Sequence, residues 1–284
     1  MTLRPARSEK GETMLKGMLV NSYIGQLGFG LRETVDLHQA IHGQLEDLGC
    51  ISNDVMARQL LERLCEDGKI FIDVGCHIGS VVAGVSRQSN PSKIIAVEAI
   101  GDKVVALRKR FPDLELHECA VSDQEGEVEF TIDLDRPGYS SLDPALKERS
   151  AATKLIRVKM TTMDNIMPHE GIDLIKIDVE GAELGVLRGA EALTKASRPV
   201  YMFESGPVEM EGYPLTALWQ WFDDHDYDVL TPNRLAHYGA GMSLEIFLDS
   251  HVYPRRTDNY FGVPRERRES LRTRTRQVMG FSPD

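Results

Sequence analysis

The chain has 284 residues, 42% of them apolar and 27% charged, and its 33 Lys and Arg against 44 Asp and Glu give a formal net charge of −11. That length supports one large domain with appendages and a sizeable core. The acidic balance disfavours a general nucleic-acid binder, which needs a basic surface against phosphate.

Taken in chain order, residues 1–12 are polar and read as disordered. The opening stretch MTLRPARSEKGETM carries no apolar h-region, so no signal peptide is expected. Nor does any apolar run approach the ~20 residues of a membrane span. Cys50, Cys65, Cys76 and Cys119 are scattered with no C-x-x-C pair. They read as reduced thiols of a cytoplasmic protein rather than a disulfide frame or zinc site.

Met14 to Leu48 reads as mostly helical, interrupted near Gly25, Gly28 and Gly30, a helical cap beside a cleft. A second helix is expected from Asn53 or Asp54 as N-cap, with Val55, Met56, Leu60, Leu61 and Leu64 at helical spacing up to Gly68. Then strands alternate with helices: strand 70–74, helix 78–88, strand 93–98, helix 102–111 with Asp102 as candidate cap, and strand 114–119. This alternation predicts an α/β fold, a doubly wound and mainly parallel sheet with helices on both faces.

Residues 120–160 break the rhythm. Glu127 to Ile132 alternates like an antiparallel edge strand, Pro137, Gly138, Ser140 and Ser141 make a loop, and Leu155 to Met160 reads as another strand. Such an insertion is expected to build a substrate-side wall. The parallel pattern resumes with Ile172 to Asp178, a helix from about Ala182 and Val200 to Glu204. Helix 215–225 and strands near Tyr227–Leu230 and Leu244–Leu248 complete a seven-stranded sheet. The remainder is rich in arginine (Arg265, Arg267, Arg268, Arg272, Arg274, Arg276) and reads as a solvated or frayed helix. The expected division is 1–52 for tail and cap, 53–250 for the catalytic domain and 251–284 for an arginine-rich tail.

Two stretches carry chemistry. The first, Phe71-Ile-Asp73-Val-Gly75-Cys76-His77-Ile-Gly79-Ser80, is a strand running into a glycine turn and a helix, the feature that receives an adenosine-type cofactor in doubly wound folds. Glu98 ends the next strand 19 residues beyond Gly79, placed to accept hydrogen bonds from ribose hydroxyls. Dinucleotides want G-x-G-x-x-G, whose middle glycine lets the backbone approach a pyrophosphate; here His77 stands in that place. An acid-flanked turn with Asp73 two residues before Gly75 suits S-adenosyl-L-methionine, which carries a sulfonium and an ammonium and no phosphate.

The second stretch is Ile172-Asp-Leu-Ile-Lys176-Ile-Asp178-Val-Glu180-Gly-Ala-Glu183. Lys176 and Asp178 share one face of the strand, and a lysine inside a buried strand must be paired. Asp73, Asp178 or Glu204 can serve it. Asp178 and Glu204 sit at carboxyl ends of strands, where open α/β sheets place their ligands. They can hold a divalent cation such as Mg2+, or one can act as general base. Glu180 stands between functional and helix-terminal roles, and Glu183 suits the positive end of a helix.

FIDVGCHIGS, IIAVEA, ECAVSDQEGEVEF, the Ser140-Ser141 loop, TTMDN and LIKIDVEGAELGVLRGA together resemble the FkbM-type S-adenosylmethionine-dependent methyltransferases over roughly residues 70–206. The resemblance implies a class I methyltransferase fold and O-methylation of a small hydroxylated acceptor, a sugar, polyketide or similar metabolite. It puts Asp73, Gly75, His77 and Gly79 at the cofactor turn, Glu98 on the ribose and Ala120 near the adenine. Asp178 and Glu180 fall beside the methyl-transfer cleft, with Glu204 opening into it. The family shows Ala-Asn after the first glycine where this chain has Cys76-His77, and proline where it has Ala99. The acceptor is expected between the cap, the 134–152 loop and the helix bearing Trp219 and Trp221. A nicotinamide-dependent oxidoreductase and a non-catalytic cofactor-binding partner are the alternatives, and oligomeric state stays open.

Overall fold

The computed structural model describes residues 23–43, 45–133, 153–206 and 212–281. The 134–152 loop with Ser140 and Ser141, and the start of the expected cap, lie outside these residues. In chain order the elements are α1 (Tyr23–Gly43), α2 (Leu48–Leu64), β1 (Ile70–Val74), α3 (Ser80–Gln88), β2 (Lys93–Glu98), α4 (Gly101–Arg110), β3 (Glu115–Glu118), β4 (Ala120–Val121), β5 (Gly126–Asp133) and β6 (Thr153–Thr161). There follow α5 (Met163–Ile166), β7 (Ile172–Ile177), α6 (Glu183–Arg188), α7 (Glu191–Ser197), β8 (Val200–Glu204), α8 (Leu215–Asp224), β9 (Tyr227–Leu230), α9 (Leu244–Ser250), β10 (Asn259–Pro264) and α10 (Arg268–Val278).

Seven strands form one sheet in the order β3-β2-β1-β7-β8-β10-β9. It is parallel except for β10, which runs antiparallel to both β8 and β9. The central strands are continuous apolar runs because helices cover both faces; all six residues of β7 are buried. The chain leaves β1 to build β2 and β3 on one side and later β7, β8, β10 and β9 on the other. The sheet order therefore reverses between β1 and β7, and a crevice opens there at the carboxyl ends.

Beyond the middle of the sheet the core is aromatic. Phe203 stacks on Phe222 at 4.7 Å and on Tyr260 at 5.7 Å, and Tyr201 meets Trp221 edge-on at 6.0 Å. Each such pair contributes about 0.5–1.5 kcal/mol beyond its buried area. Leu215, Leu218, Trp221 and Phe222 supply the inward face of α8. The insertion forms a second sheet, β4-β6-β5, with β5 antiparallel to β6 over eight residue pairs.

Five expectations are corrected. Leu244–Leu248 is not a strand but the start of α9, capped by Ser243 Oγ accepting from Ile246 N; its buried residues Phe247 and Ser250 recur at helical spacing. The seventh strand is Asn259–Pro264, inside the stretch read as a tail, and α10 behind it buries Leu271, Arg272 and Thr275. Helix α1 runs unbroken through Gly25, Gly28 and Gly30. Asn53 and Asp54 lie within α2 rather than capping it: Asp54 Oδ1 accepts from Thr257 Oγ1, Asp258 N and Asn259 Nδ2, clamping the lead-in to β10. Asp102 likewise sits in the first turn of α4, one residue inside its start.

The C-terminal arginines are docked. Arg267 and Arg274 both pair with the buried Asp173, the latter at 3.3 Å, and Arg265 reaches Asp223, Asp226 and Asp228. All four cysteines are buried and free. No helix among the described residues is long and apolar enough to cross a membrane.

Candidate active site

The turn after β1 is held from both neighbouring strands. Gly75 N and Cys76 N each donate to Val97 O at 3.0 Å, and Asp178 N donates to Val74 O at 3.1 Å. Gly75 has φ of 79°, and a Cβ there would lie 1.8 Å from Asp178 O, so only glycine lets the tips of β1 and β7 close. Gly79 has φ of 74° and would drive a Cβ to 2.7 Å from the Phe111 ring. His77 is left-handed as well, at φ 50°, a conformation for which His and Asn are both enriched. That shared tolerance accounts for histidine standing where the family shows asparagine.

Glu98 fixes the turn from β2. Its Oε2 accepts from His77 N and its Oε1 from Ile100 N, both at 2.9 Å. Burial raises its pKa, against the pull of the nearby Lys103 ammonium and these two donors.

A cavity of about 360 Å³ occupies the crevice, within the range of small-molecule sites. By the order of the strands that carry them, Ile100, Ala120 and Val121 lie beside Glu98 on the β2–β3 side, and Gly75 and His77 follow β1 in the middle. The far end is polar and carries Asp178, Glu180, Arg58 and Asn259. Gly75, His77, Glu98 and Ala120 thus share the cavity wall with Asp178 and Glu180, whereas Glu204 is not part of it. Gly79 serves behind that wall through its packing on α4.

Asp73 does not reach the wall. It is fully buried, with Oδ1 3.4 Å from Lys176 Nζ, and stands outside the cavity lining. Burial raises the Asp73 pKa even against the Lys176 charge. Lys176 also donates to Gly75 O at 3.1 Å and pairs with Asp178 Oδ2 at 2.9 Å. For Lys176 itself, burial favours the neutral form, but Asp178 and Asp73 outweigh it and the ammonium is held well above its usual range.

Burial also pushes Asp178 up, yet Lys176 and a hydrogen bond with Glu204 leave it below the usual carboxylate range. Glu204 is raised well above its ordinary value by burial and then by Asp178, so it is the protonated member of that hydrogen bond. Glu180, left-handed at φ 57°, is pushed up to about 8 by burial and by Asp178 and Glu183. Oxygens of Asp178, Glu180 and Glu204 all lie within 4.8 Å of one another. The result is a pocket end with more acids than cations, a fit for a ligand that brings positive charge.

Glu183 has a structural task. Its Oε1 accepts from Val179 N and Gly181 N, and its Oε2 from Tyr213 OH at 2.9 Å, which sets the loop presenting Glu180. Trp219 and Trp221 belong to the far side of the sheet: Trp219 Nε1 donates to Met242 O and Trp221 Nε1 to Glu191 Oε1. Neither lines the cavity. Lys103 and Arg58 do, and sequence reading missed both. Lys103 stands five residues after Glu98 at the start of a helix, a position that could have signalled it; Arg58 had no such mark.

A doubly wound seven-stranded sheet with one reversed strand and a cavity at its switch point is the architecture of the class I methyltransferase type of domain. A sequence model of the methyltransferase FkbM domain matches residues 73–229, more than half of the chain, and the protein belongs to the FkbM methyltransferase family. Membership sets the nicotinamide alternative aside. The chain is similar to the methyltransferase sdnD of Sordaria araneosa, 26% identical over 155 residues that cover 43% of this chain and 60% of that protein. It is also similar to the crystal structure of methyltransferase FkbM from Methylobacillus flagellatus, at 18% identity and a TM-score of 0.45, covering 69% of this chain and 44% of that one. A third likeness is to the S-adenosylmethionine-bound CalS10, an amino pentose methyltransferase from Micromonospora echinaspora, at 15% identity, a TM-score of 0.31 and coverage of 56% and 52%. The chain therefore spans less than two thirds of the length of each of these relatives.

Proposed function

We propose that the protein transfers a methyl group from S-adenosylmethionine to a hydroxyl oxygen of a small metabolite such as a sugar or polyketide. The observation that carries this reading is the pair Asp178 and Glu180 past the end of β7, which line the same cavity as the glycine turn and Glu98, while Glu204 at the end of β8 stands outside the lining and within 4.8 Å of both. S-adenosylmethionine, when bound, supplies an electrophilic methyl carried on a sulfonium.

The chain's own residues do the rest. Ile100, Ala120 and Val121 take the adenine, and Glu98 takes the ribose hydroxyls. The acid surplus around Asp178 favours the positive end of the cofactor. In-line displacement demands alignment above all, and the bonds tying Gly75, Val74 and Asp178 together make the turn and the acids one rigid unit. An alcohol is a weak nucleophile until its proton leaves. Asp178, ionised and held by Lys176, accepts a hydrogen bond from the acceptor hydroxyl. Glu180, with a pKa of about 8, takes the proton as the oxygen–carbon bond forms and the carbon–sulfur bond breaks. Glu204 shares its proton with Asp178 and so keeps that carboxylate oriented.

The 4.8 Å grouping of the three acids also suits a shared divalent cation such as Mg2+. Lys176 already provides a positive charge 2.9 Å from Asp178, which favours proton transfer. The test is methyl transfer from labelled S-adenosylmethionine to a panel of hydroxylated metabolites, with and without EDTA. Transfer to a hydroxyl that is indifferent to chelator supports the reading; transfer only to nitrogen or carbon acceptors overturns it, and loss of activity in EDTA restored by Mg2+ replaces the proton route with the metal one.

A further inference from the structure

With an adenosine placed at the apolar end by Glu98, the amino-acid tail of the cofactor has one direction to run, across Gly75 to the polar end of the cavity. That tail carries an ammonium and a carboxylate. Acids are plentiful for the first; the second needs a cation. Among the described residues the cavity is lined by three lysine and arginine side chains: Lys103, Lys176 and Arg58.

Two of them are committed elsewhere. Lys176 donates to Gly75 O at 3.1 Å and is held in ion pairs with Asp178 at 2.9 Å and Asp73 at 3.4 Å. Lys103 belongs to α4 and has Glu98 as its foremost charge partner, with Glu180 and Asp178 next among the carboxylates, so its charge is already shared by three acids. Arg58 stands at the polar end, with a third of its side chain exposed.

Its position is set by packing. One turn farther along α2, Glu62 lies against α3, where a Cβ on Gly84 would come within 2.4 Å of the Glu62 carboxyl. Ser89 Oγ also donates to Glu62 O at 2.8 Å. Both helices lead away from the carboxyl edge of the sheet, so one turn back from this contact Arg58 faces the first turn of α3. Ser80 and Val81 of that turn line the same cavity. Arg58 Nη1 donates to Glu62 Oε1 at 2.7 Å, which restrains the guanidinium, and its five donors can serve a second carboxylate together with the first.

We propose that Arg58 binds the carboxylate at the amino-acid end of S-adenosylmethionine, an assignment that rests on the cofactor reading above. A planar guanidinium matches a carboxylate through paired N–H···O bonds. It makes the site select the intact amino acid over analogues that lack the carboxylate.

The experiment compares S-adenosylmethionine with its decarboxylated form, which keeps the sulfonium and the ammonium, by calorimetry on wild-type and Arg58→Met proteins. Wild-type protein should prefer the intact cofactor, and Arg58→Met should weaken that ligand by about tenfold or more, the scale of a charge-assisted hydrogen bond, while the decarboxylated form stays within about twofold. Equal weakening of both ligands, or of neither, overturns the assignment alone. Wild-type protein that binds neither ligand removes the cofactor reading and the assignment with it. Should Arg58→Met fail to fold, Arg58→Lys decides: it keeps the charge without the fork, and an undiminished preference in it counts against the paired geometry.

Discussion

Strand β7 carries an acid near each end, Asp173 buried and Asp178 with a third of its side chain exposed, and the two ends are built in opposite ways. At its start Asp173, 3% exposed, meets Arg267 and Arg274 and also accepts from Glu66 N at 2.7 Å. Glu66 in turn pairs with Arg274 at 2.8 Å. There every buried negative charge has its cation, and the arrangement ties α10 to the sheet. Just past the other end, Asp178 shares one lysine with Asp73 while Glu180 and Glu204 crowd beside it. A compensated acid stabilises the fold, whereas a surplus of acids is tolerated only by forcing some of them to stay protonated, which leaves the pocket ready for a positive ligand and an acidic proton.

The two ends should therefore fail differently. Asp178→Asn removes the ionised acceptor that positions the substrate hydroxyl for Glu180, and turnover should fall by about 10²-fold, the scale of a misplaced reactant. Affinity for S-adenosylhomocysteine should stay within a few-fold. Activity near wild type in that variant would take Asp178 out of the reaction. Asp173→Ala at the other end leaves two arginines without their buried partner and should cost about 3 kcal/mol of stability, read by chemical denaturation. The folded protein should still bind S-adenosylhomocysteine as wild type does, because about 17–20 Å of strand separates the two ends. A selective loss of ligand binding at unchanged stability would show that the ends are not independent.

How much of this contrast was legible beforehand depends on how local each signal is. Strands β1, β2, β7 and β8 were visible because a parallel strand covered on both faces is an unbroken apolar run. Leu244–Leu248 was misread because Leu-Glu-Ile-Phe-Leu, four apolar residues around one acid, is too short to separate the strand period from the helix period. Strand β10 was missed since Gly262 and Pro264 argue against a strand, yet Gly262 is needed there: a Cβ would lie 2.2 Å from the Phe222 ring. Pro264 closes the strand at its last residue. At the site, the strand-end acids were legible from spacing alone. That Asp73 lies under Lys176, that Glu183 holds the loop and that Asp54 clamps residues some 200 positions away are tertiary facts with no local mark.

The smallest expected effect gives the finest test of the surplus-acid end. Burial and the neighbouring Asp178 and Glu183 raise Glu180 from 4.5 to about 8, so below pH 8 it is mostly neutral in the ligand-free protein. A folded value above the unfolded one means that this residue's contribution to stability is fully present below about pH 4.5 and is lost as pH rises through 8. A sulfonium reverses the preference, because a positive charge a few ångströms away favours the carboxylate by roughly 1–4 kcal/mol between water-like and surface-like screening. Binding S-adenosylmethionine should then release a proton below pH 8, whereas the uncharged thioether of S-adenosylhomocysteine should release less. The ratio of their affinities should accordingly shift toward S-adenosylmethionine by several-fold between pH 6 and pH 8.5 and level off above that. Glu180→Gln should flatten the dependence while leaving S-adenosylhomocysteine affinity nearly unchanged. A ratio that does not move with pH, or moves equally in Glu180→Gln, would mean that the acids at this end do not sense the charge on sulfur, and the contrast between the two ends of β7 would then be one of packing alone.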